Sequence, residues 1–455
     1  MTEIITIPTP ALGDCSYLLV SGDEAAVIDP QRDIAPVLAA AAARGATVRW
    51  ALETHVHNDY VSGAREVAAA TGATAAGPAG AWYGFHHVPL VDGTEIAVGD
   101  ALLRALHTPG HTPEHTSYLL PHDLSPAVFT GGSLLVGRAG RSDLLGAEHA
   151  AGLARDQYRS VRRLAALAEG TRVLPTHGAG SFCAATSAGG GLESTVGVER
   201  ATNVALLAAD EHIFAREHLR GLPRYPTYYQ YMAPINRRGP RVLGRFPELK
   251  PLEVEQVAAR LDAGAWVVDG RDRFAFAAAH LPGSLNVELD EGFAAYVGWT
   301  VPFGAELVLV LPEPVAVTAG AAVTQLLRIG YERLAGYLAV GVAGWAAAGR
   351  QVRRYPAVAV SQLAARTDRV RLLDVRDPLE AEALPAPAAL SIFVGDLPRL
   401  AADVPRDREI WTICASGRRA AIAASLLDRA GVPVTAVARG GVAELRQCAG
   451  KRPAV

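Results

Sequence analysis

Short apolar runs alternate with turn residues over the first 120 residues of the chain. The runs YLLV, AAVIDP, VRWALETHVH and ALLRALHTPGH have the length and composition of strands. Segments 33–44, 62–71 and 150–168 instead have the pattern of helices, and the last of these is amphipathic and rich in arginine. Together these patterns predict a layered α/β domain with two sheets that extends to about residue 215.

Residues 221–248 interrupt this pattern with a segment rich in proline, tyrosine and arginine. So many aromatic side chains are unusual in a flexible linker, because they favour burial. The composition therefore predicts an ordered connector that packs on the first domain.

The rest of the chain contains an internal repeat. Three short segments recur about 100 residues later: 267–272 as 372–377, 324–330 as 425–431, and 341–342 as 441–442. Unbroken apolar strands that alternate with helices are typical of a buried parallel sheet. The repeat predicts two copies of one small α/β domain, and we place the three domains at 1–248, 249–354 and 355–455.

Composition narrows the functional classes. The chain has 455 residues, of which 50% are hydrophobic and 20% charged, with a net charge of −3. These values exclude a disordered chain and a broadly basic nucleic-acid binder. No apolar run reaches the ~18 residues of a membrane helix, the first residues lack the features of a signal peptide, and the four cysteines form no C-x-x-C pair. We expect a cytoplasmic protein without a membrane partner, and a homo-oligomer is compatible with the sequence.

Histidines follow the predicted strands at several turns. The T-H-V-H-N-D-Y, T-P-G-H and T-H-G turns contain His55, His57, Asp59, His111 and His177. Imidazoles on separate strand ends provide the neutral nitrogen donors that a metal ion binds at ~2.0–2.1 Å. Their combination predicts a metal site rather than unrelated loop histidines.

A cysteine loop forms a second candidate site. Cys414 follows the strand 411–413 and precedes a helix predicted over 421–430. A sulfur at this position points towards backbone N–H groups and the positive end of the helix dipole, and Arg418 and Arg419 add positive charge. These features favour the reactive thiolate.

The histidine motifs resemble those of the metallo-β-lactamase superfamily, and segment 129–144 is similar to its glyoxalase II and persulfide dioxygenase branch. The resemblance covers roughly residues 1–240 and implies an αββα sandwich with one or two metals at the sheet ends.

Two positions depart from the pattern of that branch: Tyr60 stands in place of a histidine and Gly132 in place of a bridging aspartate. The mapping leaves the first metal three ligands: His55, His57 and His111. It leaves the second metal only two ligands, Asp59 and His177. We expect these two residues to support the ligands of the first metal or to form a weak second site. We therefore expect one metal per chain, Fe(II) by resemblance or Zn(II) as the alternative, and we expect Gly132→Asp to raise the affinity for it.

The cysteine loop resembles that of the rhodanese sulfurtransferases, whose C-R-x-G-x-R motif reads C-A-S-G-R-R here. The resemblance implies these catalytic residues: Cys414, Gly417, Arg418 and Arg419. The four residues between the cysteine and the second arginine favour sulfur over phosphate. In the first copy Glu313 stands at the cysteine position, so we expect that copy to be inactive.

A superfamily domain followed by two rhodanese-like domains resembles the persulfide dioxygenase–rhodanese fusions, and the run T-Y-Y-x-x-M-x-x-x-N-x-x-G at 227–239 is similar to their connector. The resemblance implies oxidation of glutathione persulfide, or a similar small persulfide, by O2 to sulfite. Sulfur transfer through a Cys414 persulfide would add thiosulfate or sulfite as partners. Two alternatives remain: a zinc-dependent thioester hydrolase of the glyoxalase II type, and a sulfur carrier with a degenerate metal site.

Overall fold

The structure is a computed structural model that describes residues 2–121, 125–183, 191–366 and 369–449. These residues form two compact units. The first runs to Phe246 and includes Leu327–Gly330, and the second contains the remainder from Pro247. The boundary placed between residues 354 and 355 stays a prediction.

The first unit contains mixed strands and helices. In chain order they are β1 (Thr2–Thr9), β2 (Asp14–Ser21), β3 (Glu24–Ile28), α1 (Ala35–Ala42), β4 (Thr47–Leu52), α2 (Ala64–Thr71), β5 (Thr74–Pro78), β6 (Val88–Leu90), β7 (Glu95–Val98), β8 (Ala101–His107), β9 (Thr116–Leu120), β10 (Ala127–Gly131), β11 (Leu134–Leu135), β12 (Arg138–Ala139), α3 (Ala147–Ala165), β13 (Arg172–Pro175), β14 (Ser194–Thr195), α4 (Val196–Thr202), α5 (Val204–Leu207), α6 (Glu211–Arg220) and α7 (Tyr229–Arg238).

Two six-stranded sheets form the centre of this unit, in the orders β1-β2-β3-β4-β5-β6 and β14-β13-β10-β9-β8-β7. Their inner faces share one apolar cluster, in which the rings of Tyr17 and Phe129 lie 5.4 Å apart, centroid to centroid. The outer faces carry helices. Val37 of α1 and Val67 of α2 pack with strands of the first sheet, and Val161 of α3 packs with strands of the second. The predicted αββα sandwich is confirmed.

The predicted connector is ordered and belongs to this unit. The Asn236 side-chain amide in α7 donates to the backbone oxygens of His57, at 2.9 Å, and Tyr60, at 2.8 Å. The Tyr228 hydroxyl donates to the backbone oxygen of Asp59 at 2.8 Å. These bonds hold the histidine loop that follows β4, so the connector supports the candidate metal site directly.

The second unit repeats one small pattern of strands and helices. Its elements are β15 (Pro251–Leu252), α8 (Val254–Asp262), β16 (Trp266–Asp269), α9 (Arg273–Ala278), β17 (Leu285–Asn286), α10 (Phe293–Thr300), β18 (Leu307–Val310), α11 (Val315–Arg328), β19 (Leu334–Leu338), α12 (Gly341–Ala347), β20 (Ala357–Ala359), α13 (Val360–Ala364), β21 (Arg371–Asp374), α14 (Pro378–Ala383), β22 (Leu390–Ser391), α15 (Leu397–Leu400), β23 (Ile410–Ile413), α16 (Arg418–Arg429), β24 (Val434–Arg439) and α17 (Val442–Ala449).

The predicted duplication is confirmed by the sheets. Both copies have five parallel strands in the same spatial order, β15-β19-β18-β16-β17 and β20-β24-β23-β21-β22. The D-x-R-D segments also match in detail. Arg271 pairs with Asp269, and Arg376 pairs with Asp374, each at 2.6 Å. Over the described ranges, none of the helices has both the length and the apolar character needed to cross a membrane.

Candidate functional sites

Five buried histidines come together where β4, β8 and β13 end. Ring centroids of His55 lie 4.1 Å from His57, 4.8 Å from His111 and 5.3 Å from His177. His115, which the sequence analysis missed, lies 5.1 Å from His55. All five side chains are at most 1% exposed. The structure thus brings the four predicted histidines into one cluster.

Hydrogen bonds define which nitrogens of His55 and His177 are free. The Thr54 hydroxyl donates to Asp29 Oδ2 at 2.7 Å, so it accepts from His55 Nδ1 at 2.8 Å. Likewise, His177 Nδ1 donates to Asp14 Oδ1 at 2.9 Å. Both Nε2 atoms are then left with a bare lone pair, and they lie 3.3 Å apart. Because two facing lone pairs repel each other, this arrangement fits a cation.

His57 and His111 also each direct one nitrogen into the protein and leave the other free. His111 Nδ1 donates to the Arg141 backbone oxygen at 2.7 Å, and its Nε2 has no hydrogen-bond partner among the residues that the structure describes. His57 Nε2 lies 2.9 Å from Glu53 Oε2 and 3.2 Å from Asp29 Oδ1, and no described residue hydrogen-bonds to its Nδ1. Metal-binding histidines are commonly oriented in this way through their second nitrogen. The residues present therefore fit a metal ion.

The charge states of these rings differ. Burial, reinforced by the neighbouring histidines, lowers the pKa of His55 and His111 well below the usual value, so both are neutral and able to bind a metal. Burial also acts on His57, but the carboxylates of Asp29 and Glu53 outweigh it and raise the pKa of His57 well above its usual value. A metal at His57 Nδ1 must therefore compete with a proton.

Among the described residues, potential ligand atoms form four groups; three of them share His177, and the fourth combines Asp29, Glu53 and His57. Within each group the atoms lie within 4.8 Å of one another, and the three that share His177 are His55, His57 and His177; His111, His177 and Cys183; and Asp14, Asp59 and His177. The sequence analysis gave His177 only an accessory position, whereas the structure places it in three of the four groups. The ligand set His55, His57 and His111 stays a prediction.

Asp59 and Tyr60 follow the two histidines of the β4 loop. Both side-chain oxygens of Asp59 are buried and have no hydrogen-bond partner in the described part of the chain. Burial, with Asp14 nearby, raises the pKa of Asp59 to about 7. The Tyr60 hydroxyl lies 3.0 Å from His57 Nε2, and its ring stacks on His57 at 4.3 Å. Asp59 can thus take part in binding a cation, while Tyr60 orients His57.

The neighbourhood of Gly132 contradicts one expectation from the sequence. A Cβ atom on Gly132 would lie 2.1 Å from His111 Cδ2 and 2.6 Å from His111 Nε2. The His111 ring therefore occupies the space that an aspartate would need. Gly132→Asp would displace a candidate ligand, so it should not raise the metal affinity.

Two further residues at the cluster were not found from the sequence. His115 uses both ring nitrogens internally, since Nε2 accepts from the Gly132 N–H at 2.9 Å and Nδ1 lies 2.9 Å from the Thr108 hydroxyl. Burial lowers the pKa of His115 to about 3, so it is a neutral support rather than a ligand. A second T-P-x-H pattern at 112–115 could have indicated it. Cys183 carries no comparable motif.

Backbone groups build the candidate sulfur site around Cys414. The residue directly follows β23, is 1% exposed, and its Sγ accepts from the Gly417 N–H at 3.1 Å. Gly417 has φ +103°, and a Cβ there would lie 2.2 Å from the Ala438 oxygen. Only glycine fits this position without strain. Because α16 begins at Arg418, its N-terminus lies beside the sulfur.

The two arginines of this loop are already paired with carboxylates. Arg418 lies 2.5 Å from Asp290, and Arg419 binds the Glu380 carboxylate, with one contact at 2.8 Å. Their positive charge is therefore partly neutralised, which the sequence could not show. The backbone N–H of Gly417 is the direct donor to the sulfur.

The corresponding turn of the first copy has a different structure. Glu313 stands between two prolines, which have no N–H group to donate, and its carboxylate accepts from the Val315 N–H at 3.2 Å. The Glu313 carboxylate thus already accepts from the Val315 N–H, a backbone donor that a sulfur-bearing anion would need.

Comparison with known proteins agrees with this geometry. Residues 12–177 match the family model of the metallo-beta-lactamase superfamily, and residues 253–348 match that of the rhodanese-like domain. The chain is 35% identical over 209 residues to a probable metallo-hydrolase of Burkholderia pseudomallei, which covers 37% of this chain and 69% of that protein. It is 37% identical over 183 residues to a hydroxyacylglutathione hydrolase of Methylococcus capsulatus, covering 39% and 66% respectively.

A solved structure extends the likeness. The crystal structure of a metallo-beta-lactamase from Staphylococcus aureus subsp. aureus COL aligns with a TM-score of 0.67 and 29% identity, covering 74% of this chain and 98% of that one. The chain therefore belongs to the metallo-beta-lactamase superfamily. In it the superfamily domain is followed by a rhodanese-like domain, and the family match falls on the copy without the cysteine. The alignments span about two thirds of the two curated relatives.

Proposed function

We propose that this protein oxidises a small thiol persulfide, such as glutathione persulfide, with O2 to sulfite, and transfers the same sulfur through a persulfide on Cys414. The observation that carries the proposal is the presence of two sites in one chain: a histidine cluster whose donors fit a metal ion, and a cysteine whose sulfur accepts from a backbone N–H at 3.1 Å. We place this activity in a reducing cytoplasm, since all four cysteines are free.

The first reaction balances without a further reductant. One persulfide, one O2 and one water give one thiol, one sulfite and two protons. The outer sulfur loses four electrons, which O2 accepts, and the bond between the two sulfurs breaks. Bound at the cluster, Fe(II) would supply the redox centre that brings O2 and sulfur together, with His55, His57 and His111 as the proposed ligands.

The surrounding side chains would orient the ligands and handle protons. Asp29 and Glu53 fix the ring of His57 through its Nε2 atom. Burial raises the pKa of Asp59 to about 7, so near neutral pH this carboxyl can accept or release one of the protons of the reaction. The burial of the cluster excludes bulk water from it.

The second reaction moves sulfur between anions. The Cys414 thiolate attacks the outer sulfur of thiosulfate, the sulfur–sulfur bond of thiosulfate breaks, and sulfite leaves with its electron pair. The resulting cysteine persulfide carries negative charge at the position where the Gly417 N–H donates. A preorganised donor of this kind stabilises the charge without rearrangement.

Oxygen uptake and metal content test the first site. We expect protein purified without air to contain one iron per chain and to consume O2 when glutathione persulfide is added. His55→Ala should lose both properties. Absence of O2 consumption by the iron-containing protein would contradict the proposed oxidation.

A thioester hydrolase is the second candidate, because a relative with 37% identity is a hydroxyacylglutathione hydrolase. The group of Asp14, Asp59 and His177 supplies donors for a second metal position, and burial raises the pKa of Asp14 to about 7. Two zinc ions per chain and rapid hydrolysis of a glutathione thioester would favour this function. A chain that binds no metal would instead be a sulfur carrier.

A further inference from the structure

A buried thiol borders the histidine cluster. Cys183 follows His177 along the chain, and its side chain is 0% exposed. Its Sγ atom and one nitrogen each of His111 and His177 lie within 4.8 Å of one another. None of the chemistry proposed above uses this sulfur.

One residue holds both Cys183 and His111 in place. The Arg141 backbone N–H donates to the Cys183 oxygen at 3.0 Å, while the Arg141 oxygen accepts from His111 Nδ1 at 2.7 Å. The Cys183 N–H donates to the Ser181 hydroxyl at 3.2 Å. These bonds fix the backbone of Cys183 near the His111 imidazole, whose Nε2 is buried without a partner among the described residues. That unpartnered nitrogen is a second, independent sign of a ligand at this position. The thiol itself lies 3.9 Å from the Tyr229 hydroxyl.

The group of His111, His177 and Cys183 contains no carboxylate. Neutral imidazoles leave the charge of a buried divalent ion uncompensated, which is costly in a water-free site. Gly132 cannot supply a carboxylate, and the His111 ring occupies the space beside it. A thiolate provides both negative charge and a soft donor, which suits zinc or iron.

We propose that Cys183 is a metal ligand, and that its thiolate binds the same ion as His111 and His177. This inference rests on the metal centre of the proposed function. When the sulfur–metal bond forms, the thiol releases its proton to solvent, and no oxidation state changes. Ligands of one tetrahedral zinc lie roughly 3.3–3.8 Å apart, so atoms already within 4.8 Å need only small side-chain rotations.

X-ray absorption of the full chain loaded with one zinc ion tests this ligation without changing Cys183. We expect one sulfur neighbour at ~2.3 Å together with nitrogen or oxygen neighbours at ~2.0–2.1 Å. Cys414→Ser should give the same spectrum, because this equally buried cysteine lies outside the ligand groups. A first shell of nitrogen and oxygen alone would overturn the inference while leaving the metal centre intact.

Affinity measured by competition with a chelator gives a second readout. Cys183→Ser should bind zinc at least about 10-fold more weakly than the parent, since even losing a partner of a ligand weakens binding ~10–100-fold. The matched variant Cys414→Ser should bind like the parent. Unchanged affinity of Cys183→Ser would overturn the inference, and a parent chain that binds no zinc or iron would overturn both it and the proposed oxidation.

Discussion

The two candidate sites of this chain are built from different parts of the polypeptide. The histidine cluster in the first unit consists of side chains, so its chemistry depends on which donor atoms those side chains provide. The Cys414 loop in the second unit depends on backbone geometry, because the Gly417 N–H meets the sulfur at 3.1 Å. Substitutions should therefore affect the two sites by different routes.

The difference also explains how each site tolerates change. Gly132 stands where the sequence analysis expected a bridging aspartate, and other buried donors lie at the cluster, including Asp59 and Cys183. In the first rhodanese-like copy two prolines lack N–H groups and the Glu313 carboxylate accepts from the Val315 N–H, so several backbone donors are lost together. A site built from side chains can lose one ligand and keep the others. A site built from backbone N–H groups loses several donors at once when its turn changes.

Cys414→Ser should have the largest effect. Without the thiolate, transfer of sulfur from thiosulfate should fall at least about a thousandfold. Metal content should stay unchanged, because the cluster uses other residues. Both quantities are measured on the same preparation by a thiosulfate sulfurtransferase assay and metal analysis. A parallel loss of metal would show that the two sites are not separate.

Gly417→Ala should damage the sulfur site through the backbone. The added Cβ would meet the Ala438 oxygen at 2.2 Å, and an error of about 1 Å in a reacting group can lower a rate ~100-fold. Gly431→Ala is the control, since it also has positive φ but open space around its Cβ. Both variants should lose roughly 1–3 kcal/mol of stability from the strained φ. Equal sulfurtransferase rates for the two variants would contradict a role for the backbone geometry at Gly417 in sulfur transfer.

Gly132→Asp tests the histidine cluster through a single side chain. We expect its metal affinity to fall by roughly 10-fold or more, because the new side chain displaces His111. Gly152→Ala serves as the control, since its Cβ would meet nothing within 4 Å. Chelator competition measures both variants. Tighter binding by Gly132→Asp would show that the cluster can rearrange to accept a carboxylate.

Glu313→Cys should have the smallest effect. A cysteine in the first copy would have a proline on each side and so lack their N–H groups. We expect no thiosulfate sulfurtransferase activity from this change in a Cys414→Ser background. Clear activity in that background would mean that backbone donors are not what makes Cys414 reactive.

Much of the fold could be predicted from the sequence, because periodicity and repeats are local signals. The strand YLLV lies within β2, and the helix predicted over 62–71 forms as Ala64–Thr71. The site was predictable only where a motif marks it, as for His55 and His57. Contacts between residues that are distant in the chain leave no local pattern in the sequence. The ion pair between Arg418 and Asp290, which lies in the other copy, was therefore not predicted.

The ratio of sulfite formed to O2 consumed is the decisive measurement for the proposed oxidation. With glutathione persulfide as the sole sulfur substrate, the Cys414→Ser protein containing iron should produce one sulfite for each O2, as the balanced reaction requires. The parent protein should consume O2 at the same rate, because the sulfur site acts separately. Release of sulfur from the persulfide without O2 consumption, or no sulfite at all, would contradict the proposed oxidation at the histidine cluster.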